Sequence, residues 1–200
     1  MQKELNKRIL YHFIPSEYLD DKWQKGNDFI IDNSHNSFIK EFETEKPMLT
    51  HNNKDLYDLC DLAFDNKLTR EQLFDLKTLI QQYLSNQPIA LREYIFEKVR
   101  ITEFPNYISR KHCLFLTDVN SVKHWDCSLN TCEKVLFKLE VSGIAFIGHD
   151  CLIPSNELSI EQQEQQARYY WQNKLSMCSN KKYDDREYLF QGHVKVLRKI

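Results

Sequence analysis

Apolar residues cluster in short runs at both ends of the chain and recur every three or four positions in its middle part. The run ILYHFIP at 9–15 predicts a strand near the N-terminus. The polar stretch that follows predicts a short helical turn, capped by Ser16 and ended by Gly26. Residues 27–50 show neither the two-residue period of a strand nor the 3.6-residue period of a helix, so we expect this segment to be irregular.

The segment 51–101 has the period of helices. Three stretches carry this period: NKDLYDLCDLAF, LTREQLFDLKTLIQQYL and PIALREYIFEKV. Thr69 and Gln72 have the spacing of a capping box, and Pro88 suits the first turn of a helix. The segment therefore predicts a small helical bundle set between strands.

Strands dominate the pattern after Pro105. The candidates are HCLFLT (112–117), EKVLFKLEV (133–141) and IAFIGH (144–149), with a turn at Gly143. A short helix is predicted in VNSVKHWDCSL, between the first two strands. The final stretch REYLFQGHVKVLRKI predicts one long strand, or two strands that meet at Gly192. The order of strand, helices and then mainly strands indicates an α+β fold with an antiparallel or mixed sheet.

A further helix is predicted at 159–175, in the stretch SIEQQEQQARYYWQNKL. Its residues Tyr169, Tyr170 and Trp171 occupy a single turn and cannot all face one way. At least part of this aromatic group is therefore expected in the core.

Composition limits the size and the class of the protein. The 200 residues are 42% hydrophobic, which is enough for one well-packed domain over 1–200 and too few for two comfortable ones. Lys and Arg number 27 against 29 Asp and Glu, so no overall basic surface indicates nucleic acid as an obligatory partner. No apolar run approaches the roughly 18 residues of a membrane span, and no secretory signal opens the chain. We expect a cytoplasmic protein with no membrane partner.

The six cysteines are spread along the chain, and several lie in apolar, strand-like runs. This distribution predicts reduced, buried thiols rather than a disulfide framework. A zinc site is the competing interpretation, with the candidate ligands Cys113, Cys127, Cys132, His112 and His124. There is no C-x-x-C pair and no H-E-x-x-H helix, so no metal is predicted.

Glycine-rich phosphate loops are missing from the sequence. Only four glycines occur, and neither G-x-G-x-x-G nor G-x-x-x-x-G-K-[ST] can be drawn. A doubly wound nucleotide-binding fold is therefore not expected. The G-x-S-x-G elbow of the α/β-hydrolases is also missing.

Four segments in chain order resemble the catalytic domains of ADP-ribosyltransferases, in particular the subgroup with a His-Tyr-Glu signature. They are LYHFI, RKHCLFLTDVNSVKHW, EKVLFKLEVSGIAFIGHDCLI and REYLFQGHVKVL. The resemblance covers 8–15 and about 105–200, and it depends on the order and spacing of the segments. It implies an ADP-ribosyltransferase-like split β-sheet core, with a helical insert at about 51–101.

The resemblance also implies a site for NAD⁺ as substrate, with Glu187 and His12 as catalytic residues. Breaking the bond between nicotinamide and ribose develops positive charge on the ribose, which a carboxylate such as Glu187 stabilises. His12 would bind a ribose hydroxyl of the dinucleotide. Without the resemblance, Glu187 would be interpreted as an ordinary exposed residue and His12 as a satisfied core histidine.

Further contacts to NAD⁺ are implied for residues near these two. The candidates are Phe13, Ser109, Arg110, Phe115 and Thr117. Phe13 stands where the family usually has glycine, and Phe115 stands at the tyrosine position, where it can stack on nicotinamide but has no hydroxyl. Arg110 could reach phosphate, or could be a surface residue, and Phe115 could be plain core.

The sequence therefore predicts an NAD⁺-dependent ADP-ribosyltransferase that modifies a protein or nucleic-acid target. Such an enzyme could act as a toxin, in phage defence or within a phage, and could have an antitoxin or another partner protein. The alternatives are a non-catalytic binding module of the same fold and a purely structural α+β domain. An enzyme that removes a 2′-phosphate from RNA would need more Arg and His residues than His12, Arg110 and His112 supply. The helical insert is a candidate lid or target-recognition element.

Overall fold

The computed structural model describes residues 2–32, 36, 40, 50–51, 54–129, 133–154, 158–178 and 184–200. The strands are β1 (Gln2–Pro15), β2 (Asp28–Ile31), β3 (Thr50–His51), β4 (Lys54–Asp55), β5 (Leu114–Leu116), β6 (Lys134–His149) and β7 (Arg186–Lys199). The helices are α1 (Leu56–Phe64), α2 (Arg70–Glu103), α3 (Val122–Ser128) and α4 (Ile160–Trp171). The predicted α+β class is confirmed.

The chain divides into two compact units, one formed by 1–36 and 95–200 and the other by 37–94. The predicted helical insert at about 51–101 overlaps the second unit. No helix in the described ranges is long and apolar enough to cross a membrane.

The first unit contains an antiparallel sheet in the order β1-β6-β7-β2, and β5 also pairs with β7. Thr117, which follows β5, exchanges two backbone hydrogen bonds of 2.8 Å with Tyr11 of β1. The strands β1, β6, β7 and β5 therefore form a closed circuit. Because the circuit is closed, strand edges that could otherwise pair with another chain have partners within this sheet.

Side chains alternate between the two faces of this circuit, as the two-residue period of a strand requires. The inner face forms an apolar core that includes Leu10, Leu116, Leu139, Tyr188 and Val196. The outer face carries Phe146 and Leu189, which pack with Phe96, Tyr170 and Trp171 of the helices. Part of the aromatic turn of α4 is therefore core, as predicted.

Gly143 of β6 and Gly192 of β7 lie directly opposite each other where these two strands pair. A Cβ on Gly192 would lie 2.5 Å from the Ser142 carbonyl oxygen and 2.7 Å from the Gly143 Cα, and its φ is +138°. The glycines allow this close backbone approach inside continuous strands. The predicted turn at Gly143 is therefore wrong, and the final strand is single.

Two of the predicted helices form a single helix in the structure, since α2 continues through Pro88 without a break. Proline removes one N–H donor from the hydrogen-bond ladder, but it does not always end a helix. The predicted capping box is confirmed, since the Thr69 and Gln72 side chains each accept the other's backbone N–H. The helical turn predicted at 16–26 is two 3₁₀ turns, Ser16–Tyr18 and Asp21–Trp23, and Asp20 rather than Ser16 provides the cap.

The second unit has a small described core. Leu59 of α1 packs with Leu76 and Leu79 of α2 in its buried apolar cluster. The strands β3 and β4 pair before α1, whose N-terminus is capped by the side chain of Asp55.

Candidate functional site

Arg110, Tyr170 and Glu187 form a buried polar centre on the outer face of the sheet. The guanidinium of Arg110 donates to Oε1 of Glu187 at 2.6 Å and to the hydroxyl of Tyr170 at 2.8 Å. The Tyr170 hydroxyl donates to the same Oε1 at 2.5 Å. Glu187 and Arg110 are each only 4% exposed, and Tyr170 is fully buried. The side chains of Arg110, Tyr170 and Glu187 therefore form a triangle of charge-assisted hydrogen bonds that is sealed from solvent.

Local structure positions each member of this triangle. Arg110 begins a 3₁₀ turn before β5, where the Ser109 side chain accepts the Lys111 N–H. Glu187 is the second residue of β7, and Tyr170 lies in the last turn of α4. Gly148 pairs with Glu187 across the sheet, and a Cβ there would lie 2.5 Å from the Tyr170 hydroxyl oxygen. Glycine at this position therefore leaves room for the tyrosine ring.

Burial and charge keep the Tyr170 hydroxyl protonated. Burial, and then the negative charge of Glu187, raise the pKa of Tyr170 well above its usual range. The hydroxyl consequently remains a donor at neutral pH. The guanidinium carbon of Arg110 also lies 5.0 Å from the ring centre of Phe115 and 5.5 Å from that of Phe96. These aromatic faces favour the cation in a desolvated position.

His12 lies on the inner face, where its ring stacks on Trp23 with 5.0 Å between ring centres. Its Nδ1 is 2.7 Å from the carbonyl oxygen of Phe115. Because a carbonyl only accepts, Nδ1 carries the proton and Nε2 keeps a lone pair. Burial lowers the pKa of His12 to about 4, against the opposing hydrogen bond to Phe115. The ring is therefore a neutral acceptor at pH 7.

Thr117 connects the strands of His12 and Glu187. It pairs with Tyr11 through the backbone, and its hydroxyl donates to the Arg186 carbonyl at 3.0 Å. Thr117 therefore lies between β1 and β7, and the backbones of these two strands are two strand spacings, or about 10 Å, apart. The side chains diverge, because His12 faces the inner core and Glu187 faces the helices. The resemblance implies both residues for one NAD⁺ site, but the structure does not bring their side chains together.

The remaining residues that the resemblance implies for NAD⁺ binding lie in different parts of the structure. Phe115 and Arg110 join Glu187, so Arg110 is not a surface residue and Glu187 is not an exposed one. Ser109 donates to Oε1 of Glu97 at 2.9 Å and lines a separate cavity of about 380 Å³. Phe13 lies beneath the ammonium of Lys134, 5.5 Å from its ring centre.

A second polar group, at the head of β7, was not predicted from the sequence. His149 Nδ1 lies 2.7 Å from Oδ1 of Asp185, whose Oδ2 accepts the Cys151 N–H at 2.7 Å. Burial opposes ionisation, but these hydrogen bonds lower the pKa of Asp185. Arg186 pairs with Asp184 and Asp118, and its hydrogen bond lowers the pKa of Asp184. The local signal was the charged run before the final strand.

Of the candidate ligands in the competing zinc interpretation, the structure describes Cys113, Cys127, His112 and His124, and these four do not come together as a metal site. Within the residues that the structure describes, no group of three His, Cys, Asp or Glu side chains could hold a metal. His124 instead lies 2.8 Å from Oδ2 of Asp150, and Cys132 lies outside the described residues.

Two cysteines form a disulfide, Cys151–Cys178, so the prediction of reduced thiols is wrong for this pair. Cys113 is buried and outside any disulfide, as predicted, whereas Cys60 and Cys127 are unbridged but exposed. Pairing depends on the distance between two residues in space, which the spacing of cysteines along the sequence does not determine.

A model of one protein family matches residues 10–200, and its description is "Protein of unknown function (DUF2441)". The chain belongs to this family. No curated protein matches the chain. The DUF2441 match covers both His12 and the Arg110–Tyr170–Glu187 triangle, and also most of the closed sheet that positions them.

The buried state of His12 predicts a pH dependence of stability in this DUF2441 chain. The folded pKa is about 4 and the ordinary value is 6.5, so the unfolded chain binds more protons between these values. Stability from this group is therefore lost as the pH falls from 7 to 4. Because the ring keeps some exposure, we expect a loss of about 2 kcal/mol.

Urea unfolding of the wild type and of His12→Gln, measured from pH 7 to pH 4, tests this expectation. The glutamine amide can still donate to the Phe115 carbonyl but does not titrate. The variant should show a flatter profile, while His193→Gln, at an exposed position, should follow the wild type. Parallel profiles for His12→Gln and the wild type would contradict the buried state of this ring.

Proposed function

We propose that the chain is an NAD⁺-dependent ADP-ribosyltransferase that transfers ADP-ribose to a protein or nucleic-acid target. The observation that carries the proposal is the position of Glu187. This carboxylate lies at the head of the final strand, where the resemblance puts the catalytic acid, and it is grouped with Arg110 and Phe115. Two residues implied for NAD⁺ binding therefore lie at the predicted carboxylate.

The chemistry assigns a role to each of these residues. The carboxylate of Glu187 stabilises positive charge on the ribose as nicotinamide leaves, and it orients the incoming nucleophile. The guanidinium of Arg110 is suited to the diphosphate. His12, which the resemblance implies for a ribose hydroxyl, lies on the opposite face of the sheet and takes no part in this proposal.

The described arrangement adds a requirement to this proposal. Glu187 is sealed by Arg110 and Tyr170, and one face of Phe115 is covered by the Arg110 guanidinium. NAD⁺ must therefore displace Arg110 from Glu187 before ribose can reach the carboxylate. In return, the guanidinium exchanges a carboxylate partner for a phosphate partner, which preserves its charge pairing.

The same burial favours a second candidate, a non-catalytic binding module of this fold. The Oε1 atom of Glu187 already receives two strong hydrogen bonds, and the side chain is only 4% exposed. In a module of this kind the triangle serves only to hold β7, the 3₁₀ turn at Arg110 and α4 together.

Release of nicotinamide from labelled NAD⁺, with a cell lysate as the source of target, tests both candidates. A transferase releases nicotinamide, and Glu187→Gln lowers the rate by about 10² to 10³. Glu161→Gln, at an exposed position of α4, is the control and should keep the wild-type rate. Because Glu187→Gln leaves Arg110 without an anion, circular dichroism checks that this variant is folded before its rate is compared.

The remaining outcomes separate the candidates. No release by the wild type, together with a thermal shift on adding NAD⁺, supports the binding module. Neither release nor a shift contradicts both. Release that is unchanged in a folded Glu187→Gln variant contradicts the catalytic role of this carboxylate.

A further inference from the structure

Helix α2 carries a row of exposed apolar side chains within the second unit. Leu73, Ile80, Leu84 and Leu91 are 57%, 40%, 64% and 41% exposed. With 3.6 residues per turn, the four lie within about 20° of one line along the helix. Monomeric proteins rarely leave an extended apolar surface of this kind in water.

The spacing of this row is symmetric. Leu73 and Leu91 lie equally far from position 82 on either side, and so do Ile80 and Leu84. Two antiparallel copies of the helix, related by a two-fold axis at position 82, would therefore place Leu73 against the partner's Leu91. The same axis would place Ile80 against the partner's Leu84. A two-fold interface has this reciprocal property, in which each contact occurs twice.

Charge does not oppose this pairing. The positions that complete the row are Lys77 and Gln87, which the same axis places opposite each other. No two like charges would therefore face across the row.

The exposed apolar area along this row is also large enough for a specific protein interface. Tyr83 and Tyr94 extend the row along one flank and are 46% and 62% exposed. Together the six side chains offer on the order of 600 Å² per copy, or about 1,200 Å² in a pair, which exceeds the ~1,000 Å² of a specific interface. Leu76 and Leu79, which pack against α1, lie about 60° and 120° around the helix from the row, on the flank of Tyr83 and Tyr94, so the row borders the surface that packs on α1.

We propose that residues 73–91 of α2 form a two-fold antiparallel interface with a second copy of this chain. A second copy of this chain presents a row whose spacing matches in both directions, because the row is symmetric about position 82. The proposal goes beyond the transferase and does not depend on it.

Sedimentation velocity of the full chain tests the interface. The wild type should sediment as a dimer at micromolar concentration. Leu84→Glu and Ile80→Lys should each raise the dimer dissociation constant at least 100-fold, because each puts a charge into an apolar contact. Phe64→Glu, at an 89% exposed position on α1, is the control and should remain dimeric.

Mixing the two charged variants tests the register. The lysine introduced at position 80 of one copy would face the glutamate introduced at position 84 of the other, so a one-to-one mixture should restore the dimer. A monomeric wild type, or dimers that survive both single substitutions, would overturn the interface. A mixture that stays monomeric would overturn the antiparallel pairing. The substituted positions are exposed, so circular dichroism should show unchanged helix content.

Discussion

Arg110→Met is expected to lower the free energy of unfolding by about 3–5 kcal/mol. The substitution leaves Glu187 as a buried charge with no cation, and an uncompensated charge costs more than the ion pair itself contributed. The pair is joined at 2.6 Å with both side chains about 5% exposed, so little water can replace the lost partner. Urea unfolding at pH 7 measures the change.

Two variants make this result specific to the buried pair. Arg198→Met removes the same side-chain type at an exposed position and should change stability by less than about 0.5 kcal/mol. Arg110→Met/Glu187→Leu removes both charges and should recover much of the loss, since apolar replacements of buried pairs are often tolerated. A loss below about 1 kcal/mol for Arg110→Met would contradict the sealed triangle.

Replacing both Cys151 and Cys178 with serine is expected to lower the free energy of unfolding by about 3–4 kcal/mol. The disulfide joins residues 27 positions apart, and this closed loop restricts the unfolded chain. The loop includes α4, which supplies Tyr170 to the triangle. Removing the cross-link therefore lowers the stability of the fold that holds Tyr170 at the triangle.

Unfolding in the presence and absence of a thiol reductant measures this effect. The reduced wild type should match the double serine variant, and reductant should not change that variant further. Cys60→Ser removes a free, exposed thiol and should behave like the wild type in both conditions. If reductant leaves the wild-type transition unchanged, the two cysteines are not cross-linked in the folded protein.

The triangle also illustrates which parts of a site are visible in a sequence. The resemblance to ADP-ribosyltransferases selects Glu187 and Arg110, which the local sequence alone would interpret as ordinary surface charges. Tyr170 and Gly148 could not be selected, since they act together only after α4 packs on β6. The one local hint at Gly148 was a glycine inside a strand pattern, where close approach of another group is common.

The predicted elements differ in how well local pattern determined them. The capping box at Thr69 and the start of α4 depend on neighbours within one turn, and both are present as predicted, although α4 ends at Trp171 rather than at 175. The continuity of β6 through Gly143 and of α2 through Pro88 depends on partners far away in the chain. A glycine or a proline can end an element or remain inside it, and the packing around it decides between these outcomes.

The sequence by itself determined the α+β class, most of the strands and helices, and the set of residues with suitable chemistry. The tertiary structure alone decided that the sheet closes through Thr117, that Cys151 pairs with Cys178, and that His12 and Glu187 face opposite sides. The two-residue period of a strand shows which side chains share a face. Only pairing with other strands decides which face becomes the inner core and which meets the helices.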